Sequence, residues 1–106
     1  MEITKNNRKW LDSLGLSHPV VIAGPCSAES EEQVLKTAHE LKKTDTNIFR
    51  AGIWKPRTRP GGFEGVGEKG LPWLQKVREE TGFKVTTEVG NADHVEKALK
   101  YDVDIL

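Results

Sequence analysis

Val20-Val21-Ile22-Ala23-Gly24 is an apolar, largely β-branched run with no alternation, followed at once by Pro25-Cys26-Ser27. A half-solvated strand alternates apolar and polar residues. An unbroken apolar run predicts a strand buried on both faces, as in parallel sheets. Further strands are predicted at Ile48-Phe49-Arg50-Ala51-Gly52-Ile53 and Lys84-Val85-Thr86-Thr87-Glu88-Val89, and a fourth begins at Val103-Asp104-Ile105-Leu106. Helical patterns lie between them. Ser30-Glu31-Glu32-Gln33 reads as a capping-box start, with Val34, Leu35, Ala38 and Leu41 on one face and Lys36, Glu40 and Lys43 turned away. Thr44 to Asn47 breaks that helix. Leu71 to Thr81 places Trp73, Leu74 and Val77 inward, carries Pro72 near its start and stops at Gly82. Asn91 caps a third helix with Val95, Ala98 and Leu99 inward.

The order β-α-β-α-β-α-β, with right-handed crossovers, predicts a parallel sheet with helices outside. Two architectures fit: an open doubly wound sheet, or the first half of a (β/α)8 TIM barrel, which needs about 250 residues in all. The sequence reaches Leu106 inside the fourth strand without a polar tail. That favours the half-barrel, three βα units plus a fourth strand, and an origin as a piece of a longer chain. Residues 1–18 are expected to form a lead-in, with Trp10, Leu11 and Leu14 at helical spacing, and residues 19–106 the partial barrel. Such a piece would carry two unpaired strand edges, an aggregation hazard.

Bulk properties narrow the function. In 106 residues, 16 basic side chains balance 16 acidic ones, which argues against a nucleic-acid binder that relies on net charge. Mean hydropathy is −0.55, and no apolar run approaches the roughly 20 residues of a membrane span. The N-terminus lacks the apolar stretch of a signal peptide. A single cysteine makes no internal disulfide. A cytoplasmic setting is expected.

In either architecture chemistry sits at the carboxyl ends of the strands. After the second strand comes Arg50-Ala51-Gly52-Ile53-Trp54-Lys55-Pro56-Arg57-Thr58-Arg59-Pro60, with four cations and a hydroxyl in ten residues. Arg offers a planar fork matched to phosphate, Lys a compact charge, and Pro56 stiffens the loop. A solvated basic loop is the alternative, but Arg50 within an otherwise apolar strand needs a reason to be there. The long glycine-rich stretch from Pro56 to Gly70 also exceeds an ordinary connection. Cys26 is either a small buried filler, or a thiolate ligand or nucleophile. No second cysteine or nearby histidine completes a metal site with it. Glu88 ends the third strand, as a partner for a cation or as a group that orients water. His18, His39 and His94 read as surface or satisfied structural residues, none obviously facing the strand-end side. Gly65-Val66-Gly67-Glu68-Lys69-Gly70 matches G-x-G-x-x-G but follows Pro60-Gly61-Gly62-Phe63-Glu64 rather than a strand, so a dinucleotide site is not expected.

Two segments carry a family resemblance: Val21-Ile22-Ala23-Gly24-Pro25-Cys26-Ser27-Ala28-Glu29-Ser30, and Phe49 through Trp54-Lys55-Pro56-Arg57-Thr58. Together they resemble 3-deoxy-7-phosphoheptulonate (DAHP) synthase. The short lead-in and the Pro60-Gly61-Gly62-Phe63-Glu64-Gly65 loop resemble its compact type I form, which includes versions fused to a chorismate mutase. The resemblance implies a (β/α)8 barrel that condenses phosphoenolpyruvate with erythrose 4-phosphate at the entry to the shikimate pathway and aromatic amino-acid biosynthesis. It implies Cys26 as one ligand of a divalent metal, Mn2+ first, with Fe2+, Co2+ or Zn2+ as alternatives. It further implies Arg50 and Lys55 as catalytic contacts to phosphoenolpyruvate, and Pro56, Arg57 and Thr58 around erythrose 4-phosphate. Glu88 would lie near the phosphoenolpyruvate end, placed to manage the attacking water. The full-length enzyme would be a dimer or tetramer.

The sister enzyme, 3-deoxy-manno-octulosonate 8-phosphate synthase, shares the Gly-Pro-Cys strand end but usually carries Lys-Ala-Asn-Arg where this chain has Lys55-Pro56-Arg57-Thr58. The family's remaining metal ligands, a His, a Glu and an Asp, lie on later strands. The isolated stretch is therefore expected to be inactive. A non-catalytic half-barrel that pairs with another chain is the alternative of a different class.

Overall fold

The computed structural model describes Ser13, residues 20–54 and residues 65–106. In chain order the elements are β1 (Ile22–Ala23), α1 (Glu31–Leu41), β2 (Ile48–Arg50), a 3-10 turn (Gly67–Gly70), α2 (Leu71–Thr81), β3 (Lys84–Thr86) and α3 (Ala92–Lys100). The sheet order is β1-β2-β3, all parallel. Ile22 lies opposite Ile48, and Phe49 lies opposite both Ala23 and Val85. A bridge between Thr86 and Ile105 adds the first contact of a fourth strand beside β3.

Local chemistry explains the helix boundaries. Ser30 Oγ accepts the Gln33 N–H at 3.1 Å, while Gln33 Oε1 accepts from Glu29 N at 2.7 Å. The reciprocal bond thus lands one residue earlier than in an ideal capping box. Thr44 Oγ1 bonds the Leu41 carbonyl at 2.6 Å, just past the end of α1. Asn91 Oδ1 accepts the His94 N–H at 2.9 Å and starts α3. Gly82, at φ 77°, ends α2 in the left-handed conformation and returns its N–H to Arg78 O.

The core lies between the sheet and the helices. Ile48, Phe49, Ile53, Val34, Leu71, Leu74, Val77 and Val85 are fully buried, each stabilising by about 1.5–3 kcal/mol relative to exposure. Phe49 stacks on Phe83 at 6.3 Å. Helix α1 packs against α2, and the seam is tied at the surface by His39–Glu80 at 2.8 Å and Lys76–Glu31 at 2.9 Å. Leu35, Leu41 and Trp73 pack partly buried against this core, as their spacing predicts.

Three expectations are corrected. First, the ladders are two or three residues long, because the ends of the predicted strands diverge into loops held by single bonds, such as Ala51 N to Thr86 O at 3.3 Å. Second, β1 is not buried on both faces: Val21 is 37% exposed and Ile22 53%. Among the described residues it has a neighbour on one edge only, and Ile22 lines a cleft that those residues leave open. Third, Leu99 is 60% exposed, because among the described residues nothing covers its side of α3. The lead-in of residues 1–18 lies, apart from Ser13, outside the described residues.

Candidate functional site

The ends of β1, β2 and β3 open on one cleft of about 640 Å³, lined by Ile22, Ala23, Gly24, Arg50, Thr86, Thr87, Glu88 and Leu106. Gly24 decides how closely the first two ends approach. Its φ is +151°, and a Cβ there would stand 1.8 Å from the Arg50 carbonyl oxygen. Only glycine permits that contact. Beyond it the chain lies along the exit of β2, with Ala28 N donating to Gly52 O at 2.8 Å and Gly52 N to Pro25 O at 3.4 Å. Cys26 is thereby presented at the rim. Among the described residues it is exposed. Thr87, buried, donates its hydroxyl to Ala51 O at 2.8 Å and locks the exit of β3 to that of β2.

Arg50 is the last residue of β2 and is half-buried. Its guanidinium stands 3.9 Å from a Glu88 carboxylate oxygen, beyond hydrogen-bond reach. The Nε–H is buried and donates to no described residue. A buried donor without an acceptor costs about 1–3 kcal/mol, and such an exception calls for an explanation such as an ion or ligand. Ser27 Oγ, one residue past Cys26, is likewise buried without a hydrogen-bond partner among the described residues. An anion placed here could accept from Arg50, with Glu88 near enough to influence charge or a water molecule. Among the described residues no three side chains of His, Cys, Asp and Glu converge on a point that would hold a metal ion. Cys26 can offer one thiolate donor.

Lys55, Pro56, Arg57 and Thr58 lie outside the described residues, so of the predicted site residues the structure places Cys26, Arg50 and Glu88. The glycine-rich decoy is a packing device. Gly65, at φ +96°, has no room for a Cβ beside the Ile53 carbonyl, and Gly67 N donates to that same oxygen at 2.8 Å. His39 pairs with Glu80. His94 is engaged as a structural residue but stands on the strand-end side, stacked on Trp54. Sequence reasoning missed Thr87 and the Trp54–His94 pair. A histidine three residues after a helix cap, at the exit of a strand, is the signal that could have found the latter.

A profile of the DAHP synthetase I family matches residues 8–106. The chain belongs to this family. It is 40% identical over 88 residues to the phospho-2-dehydro-3-deoxyheptonate aldolase of Thermotoga maritima, covering 83% of this chain and 26% of that protein. It is also 40% identical over 101 residues to the 2-dehydro-3-deoxyphosphooctonate aldolase of Variovorax paradoxus, covering 88% and 35%. The crystal structure of the Thermotoga maritima DAHP synthase superposes with a TM-score of 0.68 at 39% identity, over 77% of this chain and 23% of that one. The chain thus spans about a quarter to a third of the length of these relatives. The match to DAHP synthase structures selects the partial barrel over the open doubly wound sheet. No described helix is long and apolar enough to cross a membrane.

Proposed function

We propose that the protein carrying this sequence condenses phosphoenolpyruvate with erythrose 4-phosphate to give 3-deoxy-7-phosphoheptulonate and inorganic phosphate. The carrying observation is Arg50, whose buried Nε–H lacks an acceptor in a cleft shared by three strand ends. C3 of phosphoenolpyruvate attacks the aldehyde carbon, water adds at C2, and phosphate leaves. Two anions must be brought together against their repulsion, so positioning and fixed positive charge supply most of the acceleration. Arg50 binds phosphoenolpyruvate in this scheme, joined by Lys55. Pro56, Arg57 and Thr58 receive erythrose 4-phosphate, and Glu88 holds the water that adds at C2. Cys26 contributes one donor to a divalent metal, Mn2+ first, whose chemistry when bound is to polarise the aldehyde. The other donors lie outside these 106 residues, and the stretch alone is inactive.

A second reading has its own support, the 40% identity to 2-dehydro-3-deoxyphosphooctonate aldolases. An eight-carbon product built from three-carbon phosphoenolpyruvate requires a five-carbon aldose phosphate. Lys55-Pro56-Arg57-Thr58 favours the seven-carbon product. The test is phosphate release by the full-length protein with phosphoenolpyruvate and Mn2+, offered erythrose 4-phosphate or arabinose 5-phosphate. Turnover with the four-carbon sugar that a chelator abolishes is the expected result. Turnover with arabinose 5-phosphate alone transfers the assignment to the sister reaction, and turnover with neither overturns both.

A further inference from the structure

Trp54 lies four residues beyond Arg50, where the chain leaves β2. Its indole lies flat on the His94 imidazole, ring centres 4.1 Å apart and planes 6° from parallel. The imidazole is oriented independently of Trp54. Its Nδ1 accepts the Gly90 N–H at 3.0 Å, and its own backbone N–H is held by Asn91 Oδ1 at 2.9 Å. The ring is thus anchored at the start of α3 and lies against one face of Trp54.

The same helix face makes a second contact. Lys97, three residues on and therefore a neighbour of His94 on the helix surface, reaches Glu68 of the 3-10 turn at 3.5 Å. The two chain stretches that α3 touches also meet each other. Gly67 N donates to Ile53 O at 2.8 Å, and a Cβ on Gly67 would come within 3.9 Å of Trp54 Nε1. Helix α3 thus braces the exit of β2 from one side while the turn braces it from the other. Trp54 also packs against the core, so simple rim packing is the alternative that a test must separate.

We infer that His94 is a positioning residue: through Trp54 it sets the direction in which the chain leaves β2 beside Arg50, and so the ground-state binding of the phosphorylated substrates. The inference rests on the proposed synthase activity. Loss of an aromatic pair corresponds to a factor of about 2–10 in an equilibrium constant. In the full-length protein, His94→Ala is expected to raise KM for phosphoenolpyruvate or erythrose 4-phosphate by that factor, with kcat changed by less than about twofold. His94→Phe keeps a stacked ring and lacks the Nδ1 acceptor. It is expected to restore KM to within about twofold of wild type, while the Gly90 amide exchanges faster than wild type in both variants. If His94→Ala does not fold, His94→Gln, which keeps an acceptor without the ring, replaces it with the same expected rise.

An active wild type whose His94 variants lose stability but keep both KM values overturns the inference alone, because packing then explains the stack. Failure of His94→Phe to restore KM likewise overturns it. A wild type without turnover on either sugar phosphate overturns the functional proposal, and the positioning role falls with it.

Discussion

Gly24→Ala tests the strand-end geometry directly. The new methyl would stand 1.8 Å from the Arg50 carbonyl oxygen, 2.8 Å from its carbon and 2.9 Å from the Arg50 nitrogen. Ordinary non-bonded separations are about 3.5–4.0 Å, so the two strand exits must part by more than 1 Å, and the obstacle is backbone rather than a yielding side-chain tip. Overpacking of this kind costs about 1–3 kcal/mol. A non-glycine residue at positive φ adds about 1–2 kcal/mol. The total of about 2–5 kcal/mol is a large share of the roughly 5–15 kcal/mol that stabilises a typical domain. With a urea slope of about 1–3 kcal/mol per molar, the midpoint should fall by about 1 M or more. Gly82→Ala is the internal control, because Gly82 sits at φ +77° with nothing within 4 Å of its missing Cβ. It should lose only the backbone cost of positive φ, about 1–2 kcal/mol. Urea unfolding followed by circular dichroism on wild type and both variants decides the matter. If Gly24→Ala loses no more than Gly82→Ala, the close approach of the strand exits is refuted.

Other perturbations probe separate parts of the molecule. Asp104 Oδ2 accepts from Arg78 Nε at 3.0 Å and from Val85 N at 2.9 Å, so Asp104→Ala strands both donors and should cost about 2–3 kcal/mol in urea unfolding; a loss under about 0.5 kcal/mol would refute that role. The hydrogen bond and charge of Glu31 raise the Lys76 pKa above 10.5. This stabilising effect is therefore complete below 10.5 and disappears as pH rises through the raised folded value. The stability gap between wild type and Glu31→Gln, small because both groups are exposed, should close as pH rises above 10.5; a constant gap would refute the pairing. Arg50→Ala in the full-length protein should raise KM for phosphoenolpyruvate about 10- to 100-fold in a phosphate-release assay, as expected for loss of a charged hydrogen bond. An unchanged KM would remove Arg50 from the site.

The helices were legible because their signals are local. Ser30, Asn91, Pro72 and Gly82 act within a turn of themselves, and Val34, Ala38, Leu74 and Val77 share faces that spacing alone reveals. Strand burial was less legible. Nothing within Val20 to Gly24 tells whether a neighbour covers each face, and Ile22 is exposed because that information lies in tertiary structure. Arg50 and Cys26 could be singled out because an unusual residue in an apolar strand, or at its tip, needs an explanation. The stack of Trp54 on His94 could not be singled out in that way, since it joins residues 40 apart whose types are ordinary at their own positions. The hydroxyl of Thr87 was hidden for the same reason, its acceptor being the carbonyl of Ala51 on the neighbouring strand exit.

Spatial order in the sheet follows chain order: β1 pairs with β2, β2 with β3, and Ile105 comes next beside Thr86. Each strand therefore needs only its predecessor as a template. On a ribosome that adds about 5–20 residues per second, β1 and β2 can pair before β3 has been made, and Phe49 is buried once Phe83 and Val85 follow. The growing chain then always presents one incomplete margin, first on β2 and later on β3. Misassembly during synthesis is confined to that advancing margin and to the uncovered Val21 and Ile22 at the other end. Those two side chains, together with Leu99 on α3, are where a holding chaperone would find accessible apolar surface on this portion of the molecule.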